Sequence, residues 1–287
     1  MTETAPELVR PDAALLARAP EVARHHLATL PVHRAMIRVV ECLLVSSEDF
    51  AGPTLDVGCG DGHFAAACLG RRLEAGIDPS PESAAEAARS GAYRLVLTGS
   101  AAQLPFPDGS FNSVVSNCVL EHIPPLDAAL GEIGRVLRPG GKLVITVPSE
   151  RFADSLFWPQ ALRAVGLRGP ALAYGRWFNG ISRHFHTYSQ EGWTAKLAAA
   201  GLTVTRWTSY LRPDAMALFD LSHYYGAPTL VSKRLTGRWI LWPGKRNYLP
   251  WERGLEKLLA GYAAQIAVPD GAYYFFTAVK HVKRPAA

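Results

Sequence analysis

The chain has 287 residues, of which 48% are hydrophobic and 19% charged, the proportions of a folded protein and not of a disordered one. It holds no apolar run near the roughly 18 residues that span a bilayer, and no charged-apolar-cleavage pattern at its start, so a cytoplasmic protein is expected. The net charge of +5 hides an asymmetry: residues 1–150 carry 12 Lys/Arg against 18 Asp/Glu, residues 151–287 carry 18 against 7, so the two parts face different partners. Cys42, Cys59, Cys68 and Cys118 show no CxxC spacing and no paired framework, which fits reduced, buried thiols.

Residues 1–12 read as frayed. From Ala13 to about Ser47 the apolar residues recur at helical spacing, at Leu15, Leu16, Val22, Leu27 and Leu30 and again at Met36, Ile37, Val40, Leu43 and Leu44, with Pro31 breaking the stretch in two. Then the period changes. Thr54 to Val57 is a short strand running into glycines, Gly62 to Leu69 a helix, and Glu74 to Ile77 a second strand ending in Asp78. Pro81 to Ser90 is a helix with Ser80 as its cap. Tyr93 to Leu97 and Ser113 to Ser116 are further strands, Leu126 to Leu137 is a helix stopped by Pro139-Gly140-Gly141, and Lys142 to Val147 is a fifth strand.

Beyond Pro148 the regularity weakens, with a helix at Gln190 to Ala200, a strand at Thr203 to Trp207 and a terminal strand at Tyr273 to Val279. Alternating strands and helices predict an α/β fold with a parallel sheet and helices on both faces. Three segments follow: an N-terminal helical part over 1–47, a core over 48–210 and 271–284, and a Trp-, Tyr-, Pro- and Arg/Lys-rich insertion over 211–270.

The chemistry concentrates where the first strand ends, in Leu55-Asp56-Val57-Gly58-Cys59-Gly60-Asp61-Gly62. Glycines there let a cofactor approach the backbone, having no Cβ and tolerating positive φ. The spacing is GxGxG, whereas dinucleotide folds use GxGxxG to seat a pyrophosphate. An acid two residues before the first glycine suits a ligand with an ammonium and a sulfonium, and would repel a pyrophosphate. Asp78, 22 residues after Asp56 and at the end of the next strand, can accept hydrogen bonds from two ribose hydroxyls.

With these residues on the page, the chain resembles the class I S-adenosylmethionine-dependent methyltransferases, in particular the small-molecule group with a UbiE/UbiG-like core. The resemblance covers residues 50–150 closely and 184–209 loosely. It is carried by the glycine segment with Gly76-Ile77-Asp78, by Gly99-Ser100-Ala101-Ala102-Gln103-Leu104-Pro105-Phe106-Pro107-Asp108-Gly109-Ser110-Phe111, by Val119-Leu120-Glu121-His122-Ile123, and by Arg135-Val136-Leu137-Arg138-Pro139-Gly140-Gly141-Lys142-Leu143. It implies a Rossmann-like, seven-stranded, mostly parallel sheet with an antiparallel last strand, N-terminal helices, and a helical insertion before that strand. It also implies S-adenosyl-L-methionine as cofactor, bound by Asp56, Gly58, Cys59, Gly60, Gly62, Asp78, Ser100, Ala101 and Asn117. Leu104 and Phe106 would lie near the adenine.

Departures from the family pattern qualify this. Ser100 stands where the family has Asp, so the adenine contact would shift to the Ala101 backbone. Asn112 also replaces an Asp, at a mainly structural position. In the ubiquinone O-methyltransferase branch a Glu-x-x-Glu-His run ligates a divalent metal, but here Cys118 replaces the first carboxylate and no metal is expected.

A hydroxyl acceptor would need a base, for which His122, His186 and His184 are the candidates, each weighed against a packing or capping role. Trp239, Trp242, Tyr248 and Trp251 interleave with Arg238, Lys245, Arg246 and Arg253. That mixture fits a lid, a lipid-like or anionic acceptor, or peripheral membrane contact through 230–257; no nucleic acid is expected. The reading is methyl transfer to a small-molecule or lipid-like acceptor, with a non-catalytic cofactor-binding protein and a nicotinamide-dependent oxidoreductase as the alternatives.

Overall fold

A computed structural model describes residues 5–237, 239 and 252–281. In chain order the described elements are β1 (Glu7–Leu8), α1 (Ala13–Ala17), α2 (Ala19–Leu27), α3 (Val32–Ser46), β2 (Thr54–Val57), α4 (His63–Cys68), β3 (Leu73–Asp78), α5 (Pro81–Arg89), β4 (Tyr93–Thr98), β5 (Phe111–Asn117), α6 (Leu126–Val136), β6 (Leu137–Pro148), α7 (Phe157–Ala164), α8 (Arg168–Ile181), α9 (Gln190–Ala199), β7 (Leu202–Tyr210), α10 (Pro213–Thr236), α11 (Glu252–Ala263) and β8 (Tyr273–Lys280).

The strands form one sheet in the order β1-β7-β8-β6-β5-β2-β3-β4, parallel except for β8, which runs antiparallel to both β6 and β7. The sheet therefore has eight strands, not the expected seven. The eighth is β1, from the segment read as frayed: Glu7 and Leu8 pair with Arg206 and Trp207, and the Val9 amide donates to the Trp207 carbonyl at 2.8 Å. Two residues are too short to show the alternation that marks a strand in sequence; an edge with unpaired groups is what captures them. Helices α7 and α8, also unanticipated, fill the stretch after Pro148.

Alternation along the strands divides the interior into two layers, because successive side chains leave opposite faces of a strand. Val115, Val144, Tyr273 and Phe275 join one core with residues of α2, α3, α10 and α11. Val114, Leu143, Ile145, Tyr274 and Phe276 join the other, with residues of α6 and α9. Helix α3 is the heaviest contributor to the first: eleven of its fifteen side chains are buried. Each large apolar side chain so buried contributes roughly 1.5–3 kcal/mol. Helix α9 is held by Trp193, fully buried, whose indole N–H donates to the Pro148 carbonyl at 3.3 Å, and by Ser189, which caps it through Gly192 N at 3.2 Å.

The order β5-β2-β3 makes β2 the strand from which the chain turns both ways. A crevice forms beyond the carboxyl ends at such a switch point. The ends of β2, β3 and β5 bring the glycine turn, Asp78 and Asn117 to that crevice. Leu30, just before α3, Arg34 and Arg38 of α3, and Lys233 near the end of α10 roof it.

Candidate active site

The turn after β2 is set by its glycines. The amides of Gly58 and Cys59 both donate to the Ile77 carbonyl, at 2.8 and 3.1 Å, folding the loop over the end of β3. Gly58, Gly60 and Gly62 all have positive φ, at 78°, 54° and 80°. A Cβ on Gly58 would sit 2.4 Å from Val119 Cγ1, and one on Gly62 2.7 Å from Ser90 Oγ, whereas one on Gly60 would meet nothing within 4 Å. The first and third glycines are needed for packing; the middle one leaves its backbone bare toward a cavity of about 260 Å³.

Asp56, Gly58, Cys59, Gly60 and Asn117 line that cavity. Asp56 is 5% exposed and accepts a hydrogen bond from the Tyr93 hydroxyl at 2.6 Å. Burial draws its carboxyl up to about 6; the Tyr93 bond opposes this and the charge of Asp78 adds to it. The Asp78 carboxylate accepts from the amides of Gly60 and Ser80, at 2.9 Å each, so it also ties the glycine turn to β3. Ser100 and Ala101 follow beside it, since the Gly99 amide donates to the Asp78 carbonyl at 3.0 Å, but Asp78, Ser100 and Ala101 are not in the lining of the 260 Å³ cavity. Gly62 lies behind the turn, at the start of α4. A bare backbone cradle beside a buried acid fits a ligand with a cationic sulfur and amine.

The residues that sequence reasoning missed come from α3. Arg34, Arg38 and Glu41 are spaced four and three apart, on one face of the helix, a charged stripe inside an otherwise apolar pattern. Glu41 is fully buried and gathers four partners: it pairs with Arg38, and accepts from Asn117 Nδ2 at 2.9 Å, Cys118 Sγ at 2.7 Å and the Tyr210 hydroxyl at 3.3 Å. Thr146 completes the set by donating to Asn117 Oδ1 at 2.8 Å. Cys118 itself has φ of 50°, a left-handed non-glycine residue at the mouth of the site, the kind of strain that a surrounding network must hold in place.

A second cavity, of about 470 Å³, adjoins the first, and Arg34, Arg38 and Trp239 line both. It also receives His122 and His184, whose ring centroids are 5.3 Å apart. His122 Nδ1 lies 3.1 Å from the Arg183 carbonyl, to which it can only donate, which leaves Nε2 as the acceptor; that atom sits 3.6 Å from Glu121 Oε1. Burial lowers both histidines, His184 to about 3, so that each is neutral at pH 7. His186 is placed differently: it bonds the Ile123 carbonyl at 3.0 Å and the Tyr188 hydroxyl at 3.2 Å, and it is not in the lining of either cavity.

Two clusters among the described residues bring three metal-type donors within 4.8 Å of one another: Glu121, His122 and His184, and the buried set His26, Cys42 and Cys68. In the insertion, Lys233 crosses to Glu86 at 2.8 Å and Trp239 covers Arg34. Arg238, Trp242, Lys245, Arg246, Tyr248 and Trp251 lie outside the described residues.

Comparison with known proteins places this geometry. Residues 55–145 match the methyltransferase domain family. An uncharacterized methyltransferase of Mycobacterium sp. (strain JLS) is 41% identical over 95 residues, 32% of this chain and 37% of that one. The ubiquinone/menaquinone biosynthesis C-methyltransferase UbiE of Rubrivivax gelatinosus is 30% identical over 165 residues, 53% of this chain and 63% of that one. The chain thus matches less than two thirds of either relative's length. In fold it is similar to an S-adenosylmethionine-dependent methyltransferase of Thermotoga maritima, with a TM-score of 0.52 at 19% identity, over 93% of this chain and 97% of that one. Residues 55–145 are thus similar to a methyltransferase domain, and the fold of the chain is the one seen in the Thermotoga maritima protein.

Proposed function

We propose that this chain transfers a methyl group to a small-molecule acceptor held in the 470 Å³ cavity. The observation that carries the reading is the junction of two cavities, one around the glycine turn and one around His122 and His184, with Arg34, Arg38 and Trp239 common to both. When bound, S-adenosylmethionine supplies a methyl group on a positively charged sulfur. Asp56 and Asn117 hold the ammonium-bearing end by charge and hydrogen bonding, and Asp78 takes the ribose, with Ser100 and Ala101 beside the adenine. The bare backbone of Gly58, Cys59 and Gly60 allows close approach, and Gly62 turns the chain into α4.

On the acceptor side the chain supplies alignment and exclusion of water. His122 Nε2, left free to accept by the bond of Nδ1 to Arg183, takes the proton of a hydroxyl acceptor, and His184 supports it from the adjoining ring. His186 holds the loop through Ile123 and Tyr188. No metal is needed for this chemistry. The relative named for ubiquinone and menaquinone biosynthesis supports a small, partly apolar acceptor.

Among the described residues no helix is long and apolar enough to cross a membrane. Lys233 and Trp239 line the cavity at the glycine turn, and the Arg/Lys- and Trp-rich composition of 230–257 supports peripheral contact with a lipid surface from a cytoplasmic location; nothing in that composition calls for nucleic acid. The test is incubation with labelled S-adenosylmethionine and a fractionated cell extract. Label should enter a small organic molecule and should do so only with a functional Asp56. Binding of the cofactor without transfer to any fraction would support instead a non-catalytic cofactor-binding protein.

A further inference from the structure

Exposed apolar groups are unevenly spread over the molecule. Twelve large hydrophobic side chains are exposed among the described residues, and seven of them fall between Trp158 and Phe185. Helix α8 is the centre of that stretch. Its inward row is Ala171, Gly175 and Phe178, all buried, at the four-and-three spacing of one helical face. Leu172, Trp177 and Ile181 are turned to solvent instead, the last two 52% and 57% exposed. Val165 and Leu167 continue the exposed row before the helix, and Phe185 continues it after.

The charge of the same stretch is one-sided. Residues 155–190 hold Arg163, Arg168, Arg176 and Arg183, and no aspartate or glutamate. Arg163 pairs with Asp154. Arg168, Arg176 and Arg183 are exposed, and among the described residues they enter no ion pair. A surface that concentrates apolar groups in this way marks a place where a partner docks. Tryptophan and aliphatic side chains set among arginines match the boundary of an anionic lipid surface: the apolar groups enter the acyl layer and the guanidiniums meet the headgroups. A second copy of the chain is a poorer match, because a two-fold contact would bring the arginines against their own images.

The end of the helix ties this face to the interior. Phe178, Ile181, Ser182 and His184 line the 470 Å³ cavity, so Ile181 belongs both to the exposed row and to the cavity wall. We propose that the outward face of α8, with Val165, Leu167 and Phe185 at its ends, docks on an anionic lipid surface and brings the rim of the cavity against it. The fourteen residues of the helix give a contact about 21 Å long. This face shares no residue with 230–257, and the proposal depends neither on that stretch nor on methyl transfer.

The test is flotation of the full chain with vesicles of phosphatidylcholine alone and with vesicles containing an equal part of phosphatidylglycerol. The chain should float with the mixed vesicles and not with the neutral ones, and added salt should weaken the association. Arg168→Gln with Arg176→Gln should lower binding about tenfold or more, and so should Leu172→Gln with Trp177→Gln. All four side chains are exposed and line neither cavity, so thermal melts of both variants should match the unaltered chain. Lys245→Gln with Arg246→Gln, in the other basic stretch, should lower binding less than either. Failure of the unaltered chain to float with mixed vesicles overturns the proposal. So does full binding by both α8 variants together with loss in the Lys245 and Arg246 variant, which would place the contact in 230–257. A dimer that the α8 substitutions convert to a monomer would overturn it too, since a second copy would then cover the face.

Discussion

Asn117 donates through Nδ2 to Glu41 Oε2 at 2.9 Å, joining the end of β5 to the middle of α3 across 76 residues of sequence. A residue that lines the cavity at the glycine turn is thereby oriented by a helix outside the family-matched segment. Because Glu41 also holds Arg38, Cys118 and Tyr210, the roof and the floor of the site share one buried carboxylate.

Replacing that carboxylate should be costly. Glu41→Ala leaves the half-buried Arg38 without its counter-charge and Asn117, Cys118 and Tyr210 without their buried acceptor, and loss of one partner of a buried pair typically costs about 3–5 kcal/mol. Glu41→Gln keeps hydrogen bonding to Asn117 and should lose less. Urea melts of both variants check this, and a loss below ~1 kcal/mol for Glu41→Ala, the level of an exposed pair, would show the network to be incidental.

The glycines separate folding from binding. Gly58→Ala forces a Cβ into Val119 at a positive φ, and should unfold or strongly destabilise the chain. Gly60→Ala meets no protein atom within 4 Å, so it should cost only about 1 kcal/mol of backbone strain. Its methyl would enter the cofactor cavity, and S-adenosylhomocysteine affinity should fall at least about tenfold, which is ~1.4 kcal/mol. Thermal melts and calorimetry on the two variants should give opposite orders of severity.

Cofactor affinity should depend on pH through Asp56. Its carboxyl is raised to about 6 by burial, so it is charged at pH 7 and gains a proton as the pH falls through 6. Loss of that charge removes attraction for the cationic end of the ligand, and Kd should rise by about tenfold for each unit below 6. Asp56→Asn should bind weakly with this pH dependence removed. A flat profile between pH 5 and 8 in the unaltered protein would contradict the role given to Asp56.

The three histidines should separate by position. His122→Ala and His184→Ala should lower kcat by roughly 10²–10⁴ for a hydroxyl acceptor, with cofactor affinity intact. His186→Ala should act on stability and on KM, because its ring bonds Ile123 and Tyr188. Kinetics with whichever acceptor the extract assay identifies would show the split. Chelation should change none of these rates; restoration of a chelated enzyme by a divalent ion would assign Glu121, His122 and His184 as ligands instead.

Sequence by itself determined what depends on neighbours along the chain. A glycine that needs positive φ, an acid at the end of a strand, and periods of two and 3.6 are local properties, so the Asp56-to-Gly62 turn, Asp78 and most strands of the sheet were legible. Tertiary structure decided the rest. A two-residue strand such as Glu7–Leu8 exists only because an open sheet edge receives it, and Arg34, Arg38 and Glu41 look like solvated charges until α3 is seen roofing the crevice. The 470 Å³ cavity draws on α3, on Cys118 to His122, on α8 and His184, and on α10. No stretch of sequence contains it, because proximity of distant segments is a property of packing and not of local pattern.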